Sequence, residues 1–128
     1  MKILIVDDEP AVRLSLKRAL SLKGHTVHEA EDGLKGVELW RQWQPDMVLL
    51  DVLMPGLTGP AVLQEIGAAK SAKVLLMSAY AGDYDLDKVK AMGADYFLAK
   101  PFADIFAVVE LVEAIGNGKN ESKTSPRN

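Results

Sequence analysis

Four short apolar runs in this 128-residue chain each end in a polar residue or pair. Asp7 and Asp8 follow Ile3-Leu4-Ile5-Val6, and Asp51 follows Met47-Val48-Leu49-Leu50. Ser78 follows the run from Lys73 to Met77, and Lys100-Pro101 follows the run from Tyr96 to Ala99. Three carboxylates gathered at one place repel one another and raise each other's pKa unless a cation sits among them. Mg²⁺ suits such a set, because it takes oxygen ligands, keeps several waters, and is commonly held by one or two carboxylates plus phosphate oxygens. It would screen an anionic donor from an anionic nucleophile and offset charge on a transferring phosphoryl group. Asp51, alone at the end of its run, is the candidate nucleophile, since carboxylates form acyl phosphates. Lys100 would set a fixed positive charge against a phosphoryl oxygen, and Ser78 would donate a hydrogen bond to another.

Those residues converge only if the runs are strands of one sheet, and the intervening segments support this. Continuous rather than alternating apolar runs are the mark of strands buried on both faces. After Pro10, Val12, Leu16, Ala19 and Leu20 share one helical face, and Gly24 offers a stop. Thr26 to Ala30 reads as a weaker strand, and Asp32-Gly33 as a turn. Val37 and Trp40 mark a second helix, which ends near Gln44-Pro45. Pro55-Gly56 and Thr58-Gly59-Pro60 read as a loop, with Pro60 suited to the first turn of a third helix. Asp85 to Met92 is a short fourth helix stopped by Gly93, and Ile105, Val108, Val109 and Val112 are the buried stripe of the last. Five βα units in series give an α/β fold, a doubly wound parallel sheet covered by helices on both faces. In such sheets ligands bind beyond the carboxyl ends of the strands, where the acids, Ser78 and Lys100 fall.

Length favours one domain. We assign residues 1–116 to it and read 117–128 (NGKNESKTSPRN), which lack apolar anchors, as a flexible tail or the start of a linker. The net charge of −3 and the lack of a basic run before the tail argue against nucleic-acid binding, which needs clustered Lys and Arg. The absence of cysteine excludes disulfides, thiol catalysis and Cys-ligated zinc, and suits a reducing cytoplasm. No stretch approaches the ~18 apolar residues of a membrane span, and the first apolar run is too short for a signal peptide.

The motifs Ile5-Val6-Asp7-Asp8-Glu9, Leu49-Leu50-Asp51-Val52-Leu53-Met54-Pro55-Gly56, Met77-Ser78-Ala79 and Lys100-Pro101-Phe102 stand here in one order and spacing, with Gly93-Ala94-Asp95 before the last strand. From Lys2 to about Ile115 the chain resembles the receiver domains of two-component response regulators. The resemblance implies a flavodoxin-like (βα)5 fold with five parallel strands in the order 2-1-3-4-5. It implies that Asp51 accepts a phosphoryl group from the phosphohistidine of a histidine kinase or phosphotransfer protein. Asp8 and Asp51 would ligate Mg²⁺ directly, Leu53 through its backbone carbonyl, and Asp7 mainly through water. Ser78 would move toward the phosphate, Lys100 would bridge to it, and Pro101 would follow a cis peptide bond, which only X-Pro bonds adopt cheaply. The switch would act through the face of the fourth helix, fifth strand and fifth helix, on an effector domain beyond the C-terminus, a separate partner or a second copy. Such a domain catalyses only its own phosphorylation and dephosphorylation.

Where the family often has Tyr three residues before the lysine, this chain has Phe97, which would switch without a hydroxyl. Tyr96 would point to the opposite face. Leu53 and Tyr80 hold the family's variable rim positions; their bulk would hinder an attacking water and lengthen the phosphoryl lifetime. Ala79 leaves room for the phosphoryl group. A haloacid-dehalogenase-like phosphatase is disfavoured, because Leu53 stands where it would carry its second acid. A flavodoxin-like cofactor site is disfavoured too, since Asp7-Asp8-Glu9 would repel a phosphate. A receiver-like interaction module that takes no phosphate remains the other alternative, and the complete acid set weighs against it. His25 and His28 read as surface residues without ligand partners, Trp40 as packing, and Trp43 as cover for a helix end. Phe106 falls away from the buried stripe of the last helix and marks a candidate partner surface.

Overall fold

The computed structural model describes residues 1–67, 71–80, 82 and 84–118. Strands β1 (Lys2–Val6), β2 (Thr26–Ala30), β3 (Met47–Asp51), β4 (Lys73–Ser78) and β5 (Tyr96–Ala99) alternate with helices α1 (Pro10–Leu22), α2 (Gly33–Trp43), α3 (Gly59–Ile66), α4 (Leu86–Ala91) and α5 (Ile105–Gly116). All strand pairs are parallel, and the sheet order is β2-β1-β3-β4-β5, as expected.

Alternation along the strands divides the core between the two faces of the sheet. Leu4, Val6, Val48, Leu50, Val74 and Leu76 pack with Val37, Trp40, Val62, Leu63 and Val89 of α2, α3 and α4. Ile3, Ile5, Met47, Leu49, Leu75 and Met77 pack with Leu16, Leu20, Val108, Val112 and Ile115 of α1 and α5. Both faces are covered, which is why β1, β3 and β4 read as unbroken apolar runs. No helix among the described residues is long and apolar enough to cross a membrane.

Helix starts fix the loops above the sheet. Asp32, Thr58, Asp85 and Asp104 each accept a backbone N–H of the first turn behind them, the usual work of an N-cap side chain. Glu9, which holds the N-cap position of α1, makes no such bond with its side chain. Gly59 brings the start of α3 against the end of β3. A Cβ at that position would lie 2.6 Å from the Asp51 carbonyl oxygen and 3.0 Å from Val52 Cα. Both neighbours are backbone, so relief requires moving the strand end that carries Asp51. Gly59→Ala is therefore expected to lower stability by about 1–3 kcal/mol, read as the shift of a urea unfolding midpoint at unchanged slope.

Candidate functional site

The carboxyl ends of β1, β3, β4 and β5 meet in one crevice. The register pairs Val6 with Leu50, Asp51 with Met77, and Ser78 with Ala99, so the residues that follow each apolar run arrive at one level. Backbone bonds extend the order past the strand ends. Asp7 N–H donates to the Ala30 carbonyl at 3.1 Å, Val52 N–H to Met77 at 2.9 Å, and Lys100 N–H to Ser78 at 2.9 Å.

Asp7 and Asp51 are buried there and Asp8 is exposed, and one carboxylate oxygen from each lies within 4.8 Å of the other two. Lys100 reaches across the group. Its Nζ donates to Asp7 Oδ2 at 3.0 Å and to Glu9 Oε1 at 2.6 Å, and lies 3.4 Å from Asp51 Oδ1. Asp7 is further tied by the Glu9 N–H, which donates to its Oδ1 at 2.9 Å, while Arg13 Nη1 donates to the Asp7 carbonyl at 2.7 Å. Ser78 is buried, and its Oγ accepts the Tyr80 N–H at 2.9 Å, leaving the hydroxyl proton to donate elsewhere.

Burial and crowding decide the charges. Burial, then the neighbouring Asp7 charge, pushes Asp51 up to about 7, against the opposing pull of Lys100. Asp7 is also raised, chiefly by burial, although its bonds to the Glu9 N–H and Lys100 work the other way. Burial disfavours the Lys100 charge, but hydrogen bonds to Glu9 and Asp7 and the charges of Asp7 and Asp51 outweigh it and raise Lys100 above its ordinary value. The pocket thus gathers more carboxyl groups than one lysine can neutralise if all were ionised. A hard divalent cation with oxygen preference fits Asp7, Asp8 and Asp51 chemically.

The other expected residues surround this centre. Leu53 and Tyr80, both exposed, line with Val52, Ser78 and Tyr84 a cleft of about 260 Å³ beside the acids. Ala79 lies with Lys100, Pro101 and Glu9 on a second cleft against α1 and α5. The Lys100-Pro101 bond is cis. Phe97 is half-buried on the α4 side of the sheet and Tyr96 packs on the other, as the alternation requires. Phe97 does not stand alone behind Ser78: it stacks on Tyr84, with ring centroids 5.4 Å apart. Phe106 is exposed on α5. Residues 119–128 of the expected tail lie outside the described residues.

One expectation needs correction, and another is extended. His25 is half-buried and partnered, not a plain surface residue: Nε2 lies 2.7 Å from Glu113 Oε2 and Nδ1 3.0 Å from the Met1 amine. The Gly24 turn, at φ +87°, folds it back toward α5. Trp43 stacks flat on exposed His28, with centroids 3.9 Å apart, and Lys2 Nζ lies 5.3 Å above its ring, so it covers strand β2 as well as a helix end. The residues missed were Glu9 and Tyr84. Glu9 was visible only as part of a motif, and Tyr84 had no local signal.

Comparison with known proteins agrees with this geometry. The response regulator receiver domain family matches residues 3–115. The response regulator MprA of Mycobacterium sp. strain KMS is 40% identical over 106 residues, a match covering 80% of this chain and 45% of that protein. The chain thus spans about half the length of the curated relatives it matches. The signal receiver domain of the putative response regulator NarL from Mycobacterium tuberculosis is 33% identical, with a TM-score of 0.77 over 91% of this chain and 96% of that one. The response regulator TrrA from Thermotoga maritima, solved in complex with Mg²⁺-BeF, is also 33% identical, with a TM-score of 0.77 over 89% of this chain and 97% of its own.

Proposed function

Because this chain belongs to the response regulator receiver domain family, we propose that residues 1–116 form a phosphorylation-driven switch with Asp51 as the phosphoryl acceptor. The observation that carries the reading is the crevice itself, in which Asp7, Asp8 and Asp51 gather at the ends of parallel strands, with Asp7 and Asp51 within reach of the Lys100 ammonium. An Asp51 oxygen attacks phosphorus, the P–N bond to a donor imidazole of a histidine kinase or phosphotransfer protein breaks, and its electron pair leaves with the nitrogen. Lys100 holds a positive charge against the equatorial oxygens, and the Ser78 hydroxyl donates to one of them. Asp8, Asp51 and the Leu53 carbonyl would hold Mg²⁺, with Asp7 acting through water, and the ion would offset charge on the phosphoryl group. That TrrA was solved in complex with Mg²⁺-BeF supports Mg²⁺ as the ion.

With Asp51 pushed up to about 7, a divalent cation competes with a proton there near neutral pH. Mg²⁺ affinity is therefore expected to rise between about pH 6 and pH 8, with proton release that fades at the alkaline end. Calorimetric titrations in buffers of different ionisation enthalpy measure both quantities. The rim also sets a lifetime. Leu53 and Tyr80 stand over the cleft from which water would approach, so Leu53→Asn is expected to speed loss of the phosphoryl group about threefold to tenfold, followed by intact mass over time.

Phosphorylation would draw Ser78 inward and reorder Phe97 and Tyr84, a shift between two packings that changes the face of α4, β5 and α5. That face would act on an effector domain reached through residues 117–128, on a separate partner, or on a second copy. Exposed Phe106 adds an apolar contact to it. The test is amide hydrogen exchange on the chain with Mg²⁺ and beryllofluoride, a stand-in for a phosphoryl group on a carboxylate. Altered protection in α4, β5 and α5 supports the switch; changes confined to the loops around Asp51 would reject it.

A further inference from the structure

The shortest contact of the Lys100 ammonium in this crevice is with Glu9, a residue outside the acid set. Lys100 Nζ lies 2.6 Å from Glu9 Oε1, 3.0 Å from Asp7 Oδ2 and 3.4 Å from Asp51 Oδ1. The lysine side chain is 8% exposed and the Glu9 side chain 57%, so the ammonium is bonded on its solvent side by Glu9 and lies farther from Asp51 than from Glu9 or Asp7. A second observation is independent of those distances. Glu9 occupies the N-cap position of α1, where a side chain ordinarily accepts a helix N–H, and its carboxylate makes no such bond. Its backbone is anchored by the bond from its N–H to Asp7 Oδ1 and by the Arg13 N–H donating to its carbonyl at 3.1 Å. The chain therefore fixes the base of Glu9 and leaves its carboxylate to Lys100.

We infer that Glu9 is a positioning residue that holds Lys100 in a resting place and competes with the incoming phosphoryl oxygens for its ammonium. This rests on Asp51 being the acceptor. In the phosphorylated domain the ammonium must serve Asp51's phosphoryl group, and each gain there is a loss at Glu9. The competition opposes the transfer and the phosphorylated state alike, so weakening it speeds phosphorylation. A partly exposed ion pair sets the size of the effect at about twofold to fivefold.

The test compares Glu9→Gln with Glu9→Asp. Gln keeps the shape and removes the charge; Asp keeps the charge, and its shorter side chain falls back from Lys100. Phosphorylation by acetyl phosphate at saturating Mg²⁺ is followed by intact mass, and the Lys100 ¹⁵Nζ resonance is followed by NMR in the resting protein. The expected result is that both variants take the phosphoryl group about twofold to fivefold faster, with the Lys100 resonance displaced in both. Faster reaction in Glu9→Gln alone would assign the effect to charge repelling the anionic donor and overturn the positioning role. Unchanged rates beside a normal wild-type adduct would overturn it too, leaving Asp51 as the acceptor. No adduct on any form would overturn the acceptor and this inference together, and the NMR signal would then report only a resting ion pair.

Discussion

Lys100→Met is expected to destabilise the domain by about 3 kcal/mol near neutral pH in the presence of a chelator, the low end for breaking a buried ion pair. The ammonium is the cation that lies among Asp7, Asp51 and Glu9, and both aspartates are almost wholly buried. Without it their mutual repulsion is unrelieved, and burial then favours protonation of Asp51 and Asp7 beyond its present extent. That proton uptake limits the loss. It also fixes the sign of the pH dependence. A carboxyl group whose folded pKa lies above its unfolded value costs stability that grows as pH rises from the unfolded value toward the folded one. The gap between variant and wild type should therefore be widest at about pH 8 and should narrow toward about pH 4. Urea unfolding across that range measures it. Saturating Mg²⁺ should recover part of the loss, and phosphorylation should slow by about 10²-fold or more, the scale for removing one preorganised charge from a transfer site.

Asp51→Asn is expected to act in the opposite direction on stability while abolishing the phosphoryl adduct. Asp51 is pushed from 3.8 to about 7, first by burial and then by Asp7, so its ionised form is the strained one. The sign follows from the same linkage. The penalty is absent below the unfolded pKa, accumulates as pH rises, and is complete above about 7. Asn keeps the shape, still offers an oxygen to Lys100, and carries no charge to repel Asp7 and Asp8. The variant should exceed wild type by about 2 kcal/mol at about pH 8 with chelator present, and match it near pH 4. Mg²⁺ should reverse the order, since it stabilises the wild type by binding and has one carboxylate fewer to bind in the variant. Stability gained together with function lost would identify Asp51 as a residue kept for chemistry and not for folding.

Much of this site was legible because polar residues directly behind buried runs have only one place to go in a parallel sheet. Asp7, Asp8, Asp51, Ser78 and Lys100 all reached the crevice on that argument, and the unbroken runs of β1, β3 and β4 marked strands covered on both faces. Pro60 marked the first turn of α3, whereas the caps at Thr58 and Asp85, whose short side chains bond the first turn, were not read from the sequence. Side-chain pairs between distant segments were not legible. Glu9 and Lys100 are 91 residues apart, His25 and Glu113 are 88 apart, and neither pair leaves a periodic trace. His25 looked like a surface residue because its half-buried setting is made by α5, not by its neighbours in sequence. The Tyr84–Phe97 stack was hidden for the same reason: alternation gave the face of Phe97 but not the ring that meets it.

The most direct measurement is intact-protein mass after incubation with Mg²⁺ and acetyl phosphate, with Asp51→Asn and a chelated sample beside it, and borohydride trapping to locate the acyl phosphate in the peptide map. One labile phosphoryl adduct, dependent on Mg²⁺, absent from Asp51→Asn and trapped at residue 51, is the predicted result. A folded wild-type protein that acquires no adduct, or one that carries it at another residue, would contradict the account and favour an interaction module that works without phosphorylation.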